Sequence, residues 1–223
     1  MQPIFRYLCG AALLALTACA APLGKKHLLV IGDSNGAGKG WVYHLQELRG
    51  GGPLVNTSLG GNTIGFNGMG ELRRNTLENL TAYLRKGYAE MGQIDEILIG
   101  LGTNDCKAEY ADRRADVYDN LDRLLTGVDE FFASRGQAVP RIVLLTPPPA
   151  GADDVVIGEF AGVSDCLAEL AERIRTTAAR RGHCLVDLQQ QPGPGVLAYS
   201  RDGIHFNAEG YQQLAEAVVR ACY

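Results

Sequence analysis

Five short apolar runs recur along the chain, and they constrain its fold more than any other feature. "HLLVIG" (27–32), "PLVNTSL" (53–59), "EILIGLG" (96–102), "RIVLLTPP" (141–148) and "CLVDLQ" (184–189) each read as a strand. Amphipathic stretches separate and follow them: a short one at 37–48, then 71–88, 117–136, 165–182 and 207–222. In 71–88, Leu72, Leu77, Leu80 and Leu84 fall near one helical face. Gly136 and Gly182 close two helical stretches as C-terminal caps, and Asn207 opens another as an N-cap. Strand–helix alternation with near-continuous apolar strands predicts a parallel sheet covered on both faces, an α/β fold. In such sheets, ligands bind at the carboxyl ends of the strands.

The first residues have another character. "MQPIFRYLCGAALLALTAC" carries one cation, Arg6, then an apolar stretch from about Tyr7 to Ala18. That stretch is too short to span a bilayer comfortably and reads as an export signal. Leu16-Thr17-Ala18-Cys19 resembles a bacterial lipobox, which implies lipidation of Cys19 and a bacterial cell-envelope location. The alternative is a secretory signal cleaved near Ala20 or Ala21. The expected organisation is a signal peptide at 1–18, a short tether at 19–25 and one domain at 26–223. A hydrophobic fraction of 46% suits one such core, and a net charge of −4 offers no basic surface for nucleic acid. Nothing in the sequence sets an oligomeric state.

The strand-ending loops hold the chemistry-bearing residues. Ser34 follows the first strand, in Gly32-Asp33-Ser34-Asn35-Gly36. Gly60 and Gly61 follow the second, Asn104 the third, and Asp202 with His205 the last. All leave one edge of the sheet, so they can converge. A serine hydroxyl needs a base to become a nucleophile, and His205 can be that base. Asp202, three residues earlier, can reach the imidazole if the segment turns helically, and would favour the imidazolium that forms. The Ser34 N–H at a helix N-terminus, the Gly61 N–H and the Asn104 amide can stabilise an oxyanion.

These residues resemble the four blocks of the SGNH (GDSL-type) hydrolases: Gly32-Asp33-Ser34, Gly61, Gly102-Thr103-Asn104-Asp105 and Asp202-x-x-His205. They come in the family's order and span almost the whole chain after the signal. The resemblance implies a flavodoxin-like three-layer α/β/α sandwich and ester hydrolysis without a cofactor. It implies Ser34 as nucleophile, Asp202 and His205 as its partners, and Ser34, Gly61 and Asn104 as oxyanion donors. Asn35 stands where the family's name-giving Leu would be, which weakens inference about substrate rather than mechanism. The family spans O-acetyl removal from carbohydrates, short-chain arylesterase or thioesterase action, and lysophospholipase action. The expected partner is therefore a small ester or an acylated carbohydrate or lipid, with short acyl groups favoured. Loops 62–70 and 149–163, with Phe66, Met69, Val155, Val156, Ile157 and Phe160, are compatible with a small acyl pocket.

Other readings fare worse. A Walker A loop aligned on Gly38-Lys39 has Asp33 in place of its first Gly and Gly40 in place of its Ser or Thr. An α/β-hydrolase elbow follows several strands, whereas Ser34 follows the first. A protein that kept the fold but lost catalysis is the non-enzyme alternative, against which stands the full set of catalytic residue types. His27, His44 and His183 lack a carboxylate at similar spacing and read as structural. Cys184 beside His183 is an isolated pair without a second pair at zinc spacing, so no metal is expected.

Cysteines 106, 166, 184 and 222 can pair outside the cytoplasm in three ways. Cys106 and Cys166 both lie at the catalytic edge, and Cys184 and Cys222 at the opposite one. The topology thus selects Cys106–Cys166 and Cys184–Cys222, the alternative being four buried thiols.

Overall fold

The computed structural model describes residues 22–223. The expected signal peptide, Cys19 and the next two residues of the tether lie outside the described residues. Five strands form one parallel sheet: β1 (Leu28–Gly32), β2 (Leu54–Asn56), β3 (Glu96–Gly100), β4 (Arg141–Leu145) and β5 (Cys184–Val186). Their spatial order is β2-β1-β3-β4-β5, with Leu28 facing both Leu54 and Glu96. This is the flavodoxin-like order, and its topological switch point lies between β1 and β3.

Alternate strand residues feed opposite faces, as a pleated strand requires. Leu29, Ile31, Ile97, Ile99, Ile142 and Leu144 pack toward α2 (Thr76–Met91), α3 (Arg114–Ala133) and α4 (Val163–Arg181). Leu28, Val30, Leu98, Val143 and Leu145 pack toward α1 (Trp41–Leu48) and α5 (Ala208–Cys222). Three layers result, with a core on each side of the sheet.

Several elements differ from the sequence expectation in their bounds. The second strand shortens to three residues, although the Thr57 and Leu59 N–H groups still donate to Val30 O and Gly32 O of β1. The third stops at Gly100, before Gly102 takes φ +123°. The fourth stops before Pro147-Pro148-Pro149, which have no N–H to give a ladder. The fifth gives way to a turn in which Gln190 N–H meets Asp187 O.

Helix starts shift too. Helix α1 begins at Trp41, because the Gly-rich segment before it forms turns instead. Helix α2 begins only at Thr76, where the Asn75 side chain accepts the Glu78 N–H; residues 68–74 are 3-10 turns. Leu72 therefore lies off the helix and is 59% exposed, while Leu80 and Leu84 are buried as the pattern requires. Helix α3 starts three residues earlier than expected and ends at Ala133 with Ser134 as cap, so Gly136 only closes a following turn. Gly182 (φ +69°) and Asn207 cap α4 and α5 as anticipated.

Part of the expected tether is docked: Leu23–Lys25 form a 3-10 turn, and Arg49 donates to Leu23 O and Lys26 O. Two disulfides are present, Cys106–Cys166 and Cys184–Cys222, in the pairing the topology selected. No helix among the described residues is long and apolar enough to cross a membrane.

Candidate active site

Ser34 sits just beyond β1, in a pair of tight turns closed by Gly36 N–H to Asp33 O and Ala37 N–H to Ser34 O. This corrects the expectation that its N–H lies at a helix N-terminus. Helix α1 starts at Trp41, whose N–H donates to Asn35 O, so the nucleophile candidate gains no adjacent macrodipole. Gly40 permits the close return, since a Cβ there would come within 2.0 Å of Asn35 O.

His205 arrives at the same place from 171 residues away. Its Nε2 lies 2.9 Å from Ser34 Oγ, and its Nδ1 lies 2.7 Å from Asp202 Oδ2. The Asp202–His205 segment is a bend rather than the expected helical turn. Asp202 Oδ1 accepts the N–H groups of Ile204 and His205 at 2.9 and 2.7 Å, and Gly203 takes φ +75°. Gly203 also lies against Gly151, whose N–H donates to Gly203 O, and a Cβ on Gly203 would meet Val156 Cγ1 at 2.8 Å.

The protonation pattern follows from these contacts. Partial burial works to raise the Asp202 pKa, but the hydrogen bonds from the His205 and Ile204 N–H groups and the His205 ring outweigh it. The net result is about 2. An ionised carboxylate only accepts, so Nδ1 carries the ring proton. In neutral imidazole this leaves the Nε2 lone pair free for the Ser34 hydroxyl proton. That arrangement can activate an oxygen nucleophile and hold the resulting imidazolium.

The loops after β1, β2 and β3 also carry the N–H groups expected as oxyanion donors. The Ser34 and Gly61 N–H groups donate to no acceptor among the described residues. Asn104 opens the 3-10 turn after β3 and donates one amide hydrogen to Asn62 O at 3.0 Å, which leaves its second hydrogen. Asn62 Nδ2 in turn reaches Gly32 O at 3.0 Å. Asn62 therefore ties the ends of β1, β2 and β3 together, a role its place in "LGGNT" did not reveal.

Two buried carboxylates under the site were also missed as site residues. Asp33 accepts the Asn35 N–H at 2.9 Å, and burial lifts its pKa to about 6. Asp105 accepts the Ile64 N–H with both oxygens, at 2.9 and 3.0 Å; burial first, and Asp33 nearby, push its pKa to about 7. Each follows a loop's catalytic-type residue or precedes it by one position, so adjacency was the only available signal.

Other expected groups are placed differently. Phe66, Val156 and Phe160 belong to the core, with Phe66 stacked on Tyr110 at 4.3 Å. Met69, Val155 and Ile157 are exposed, so these six do not form one acyl pocket. His27 does have a carboxylate partner, Asp95 at 2.9 Å, but just before β1, at the opposite sheet edge from Ser34. Among the described residues, no group of three or more His, Cys, Asp or Glu side chains is arranged to hold a metal. A cavity of about 390 Å³ borders Asp202 and His205, lined by these two with Ala198, Tyr199, Ser200, Arg201, Phe206 and Asn207.

The model of the GDSL-like lipase/acylhydrolase family matches residues 24–213. No curated protein sequence matches the chain. Among solved structures, a carbohydrate acetylesterase from Sinorhizobium meliloti, Est24, superimposes with TM-score 0.74 at 22% identity. The match covers 89% of this chain and 100% of that one. The inhibitor-bound aryl esterase of M. smegmatis gives TM-score 0.69 at 22% identity, covering 88% and 99%. A lipase/acylhydrolase from Enterococcus faecalis gives 0.61 at 21%, covering 87% and 94%.

Proposed function

Because the chain belongs to the GDSL-like lipase/acylhydrolase family, and is thus a carboxylic ester hydrolase, we propose that it cleaves short-acyl esters through an acyl-enzyme on Ser34. The carrying observation is the continuous hydrogen-bond chain from Ser34 Oγ through His205 to Asp202. In the first step His205 Nε2 takes the hydroxyl proton as Oγ attacks the ester carbonyl. The Ser34 and Gly61 N–H groups and the Asn104 amide receive the oxyanion, each such donor contributing about 2.7–4 kcal/mol to the barrier reduction. As the intermediate collapses, the ester C–O bond breaks and the imidazolium protonates the leaving alcohol. Water then attacks the acyl-enzyme, His205 takes its proton, and the carboxylic acid departs with Ser34 restored.

The cavity beside the triad supports small or sugar-bearing esters over long-chain lipids. Its lining mixes the polar side chains of Tyr199, Ser200, Arg201, Asp202, His205 and Asn207 with the apolar Ala198 and Phe206. The Phe66, Val156 and Phe160 side chains, which a long apolar groove would need, are spent in the core. A chain-length series of nitrophenyl esters tests this, followed by acetate release from acetylated sugars. Turnover should be highest for acetyl and propionyl esters and absent in Ser34→Ala; a maximum at octanoyl or longer would overturn the short-acyl reading.

Cell-envelope anchoring through Cys19 is part of the same proposal, supported by the lipobox-like Leu16-Thr17-Ala18-Cys19. Several acyl chains on one cysteine anchor stably, since each buried methylene contributes about 0.8 kcal/mol. The full chain expressed in a bacterium should partition into detergent, and Cys19→Ser should return it to the aqueous phase. Identical partitioning of the two would remove the anchor from the account.

A further inference from the structure

We infer that Arg74 is a positioning residue for the oxyanion site, acting through the Gly60–Gly61 peptide; this rests on the esterase reading above. The Gly61 N–H is a free donor, and the oxygen of the same peptide unit is not free: Gly60 O accepts Arg74 Nη1 at 2.8 Å. In a trans peptide the C=O and N–H point in opposite directions. A donor fixed on the oxygen therefore sets where the N–H aims. A cationic donor also draws charge from the amide and strengthens its N–H, as in any hydrogen-bonded chain of dipoles.

Both the guanidinium and the backbone of Arg74 are held in place, and Nη1 also meets Met69 Sδ at 2.7 Å. Its Nε donates to Glu71 Oε2 at 2.9 Å, and the Arg74 backbone oxygen accepts the Thr63 N–H at 2.9 Å and the Thr63 hydroxyl at 3.1 Å. The side chain is 16% exposed. Glu71 offsets its charge, which argues against a role in attracting anionic substrates. Gly61 makes the approach possible: a Cβ there would lie 2.3 Å from Arg74 Nη1. Its φ of +75° is a second, independent reason for glycine. The guanidinium thus occupies the space a side chain at 61 would take. No hydrogen bond joins Arg74 to Ser34, His205 or Asp202, so its effect on the reaction runs through the peptide.

The test is steady-state kinetics on Arg74→Met and Arg74→Lys, beside wild type and Ser34→Ala, with folding checked by thermal unfolding. Arg74→Met should lower kcat about 10- to 100-fold with KM within about twofold, less than the loss of a whole donor. Its affinity for a boronic acid that adds to Ser34 should fall by the same factor. Arg74→Lys keeps a cationic donor for Gly60 O but loses the Nε link to Glu71. It should recover most of kcat if donation to Gly60 matters, and none if Arg74 merely braces the loop. A kcat for Arg74→Met within twofold of wild type, a raised KM at unchanged kcat, or a lysine variant no better than methionine would each overturn the inference. Loss of activity in Ser34→Ala with an unimpaired Arg74→Met sinks this inference alone; full activity in Ser34→Ala sinks it together with the esterase reading.

Discussion

Asp33 and Asp105 sit at 3% and 1% exposure beneath Ser34 and Asn104, where a carboxylate is costly to ionise. Burial raises their pKa values to about 6 and about 7, from an ordinary 3.8. Between the ordinary and the raised value the folded protein keeps a proton that the unfolded chain has released. The resulting stability is complete below the ordinary pKa and is lost as pH rises through 6 and 7. Asp105→Asn keeps an oxygen for the Ile64 N–H but cannot ionise. Its midpoint temperature should fall less than that of wild type between about pH 4 and about pH 7. Parallel curves for the two proteins would show that Asp105 does not titrate in this range. Residues differ in how far the sequence discloses them. Ser34, Asp202 and His205 are legible because a hydroxyl, a carboxylate and an imidazole at strand ends have few other uses together. Asp33, Asp105 and Asn62 are not, because their importance lies in burial and in contacts made only once the loops close over them.

Among the elements, the sheet and its helices follow from the alternation of apolar runs, whereas their bounds follow from local turns. Asn207 and Gly182 end their helices as their chemistry dictates. The stretch 68–74 defeats the periodic reading because Gly68 and Gly70 favour 3-10 turns and Asn75 caps later. The disulfides were legible only through the topology, since sequence spacing admits three pairings. They close loops of 60 and 38 residues. By chain entropy each stabilises the fold by about 4 kcal/mol. Their positions separate their effects. Cys106 ends the turn opened by Asn104, and Cys166 lies in the first turn of α4. Cys184 and Cys222 join β5 to the end of α5, at the edge away from Ser34. Replacing Cys184 and Cys222 by Ala should lower the urea midpoint and leave kcat unchanged. Replacing Cys106 and Cys166 by Ala should lower both, because Asn104 loses its support. Equal kcat in the two double variants would mean that the first bridge does not position the oxyanion donor.

For the molecule as a whole, the β2-β1-β3-β4-β5 order brings distant loops together. Ser34 leaves β1 and Asn104 leaves β3, the two strands that flank the switch point. His205 and Asp202 reach the same rim after the long excursion through the 3-10 segment Gly193–Tyr199. The apolar loop residues show the limit of reading a pocket from sequence. Hydrophobicity alone did not separate Phe66, Val156 and Phe160, which fill the core, from Met69, Val155 and Ile157, which face solvent. In the proposed mechanism this rim makes Ser34 a nucleophile. Incubation with a fluorophosphonate, followed by peptide mass spectrometry, measures that directly. A single phosphonyl adduct should form on Ser34, abolish esterase activity and fail to form in His205→Ala. Esterase activity that survives the reagent with Ser34 unmodified would contradict it.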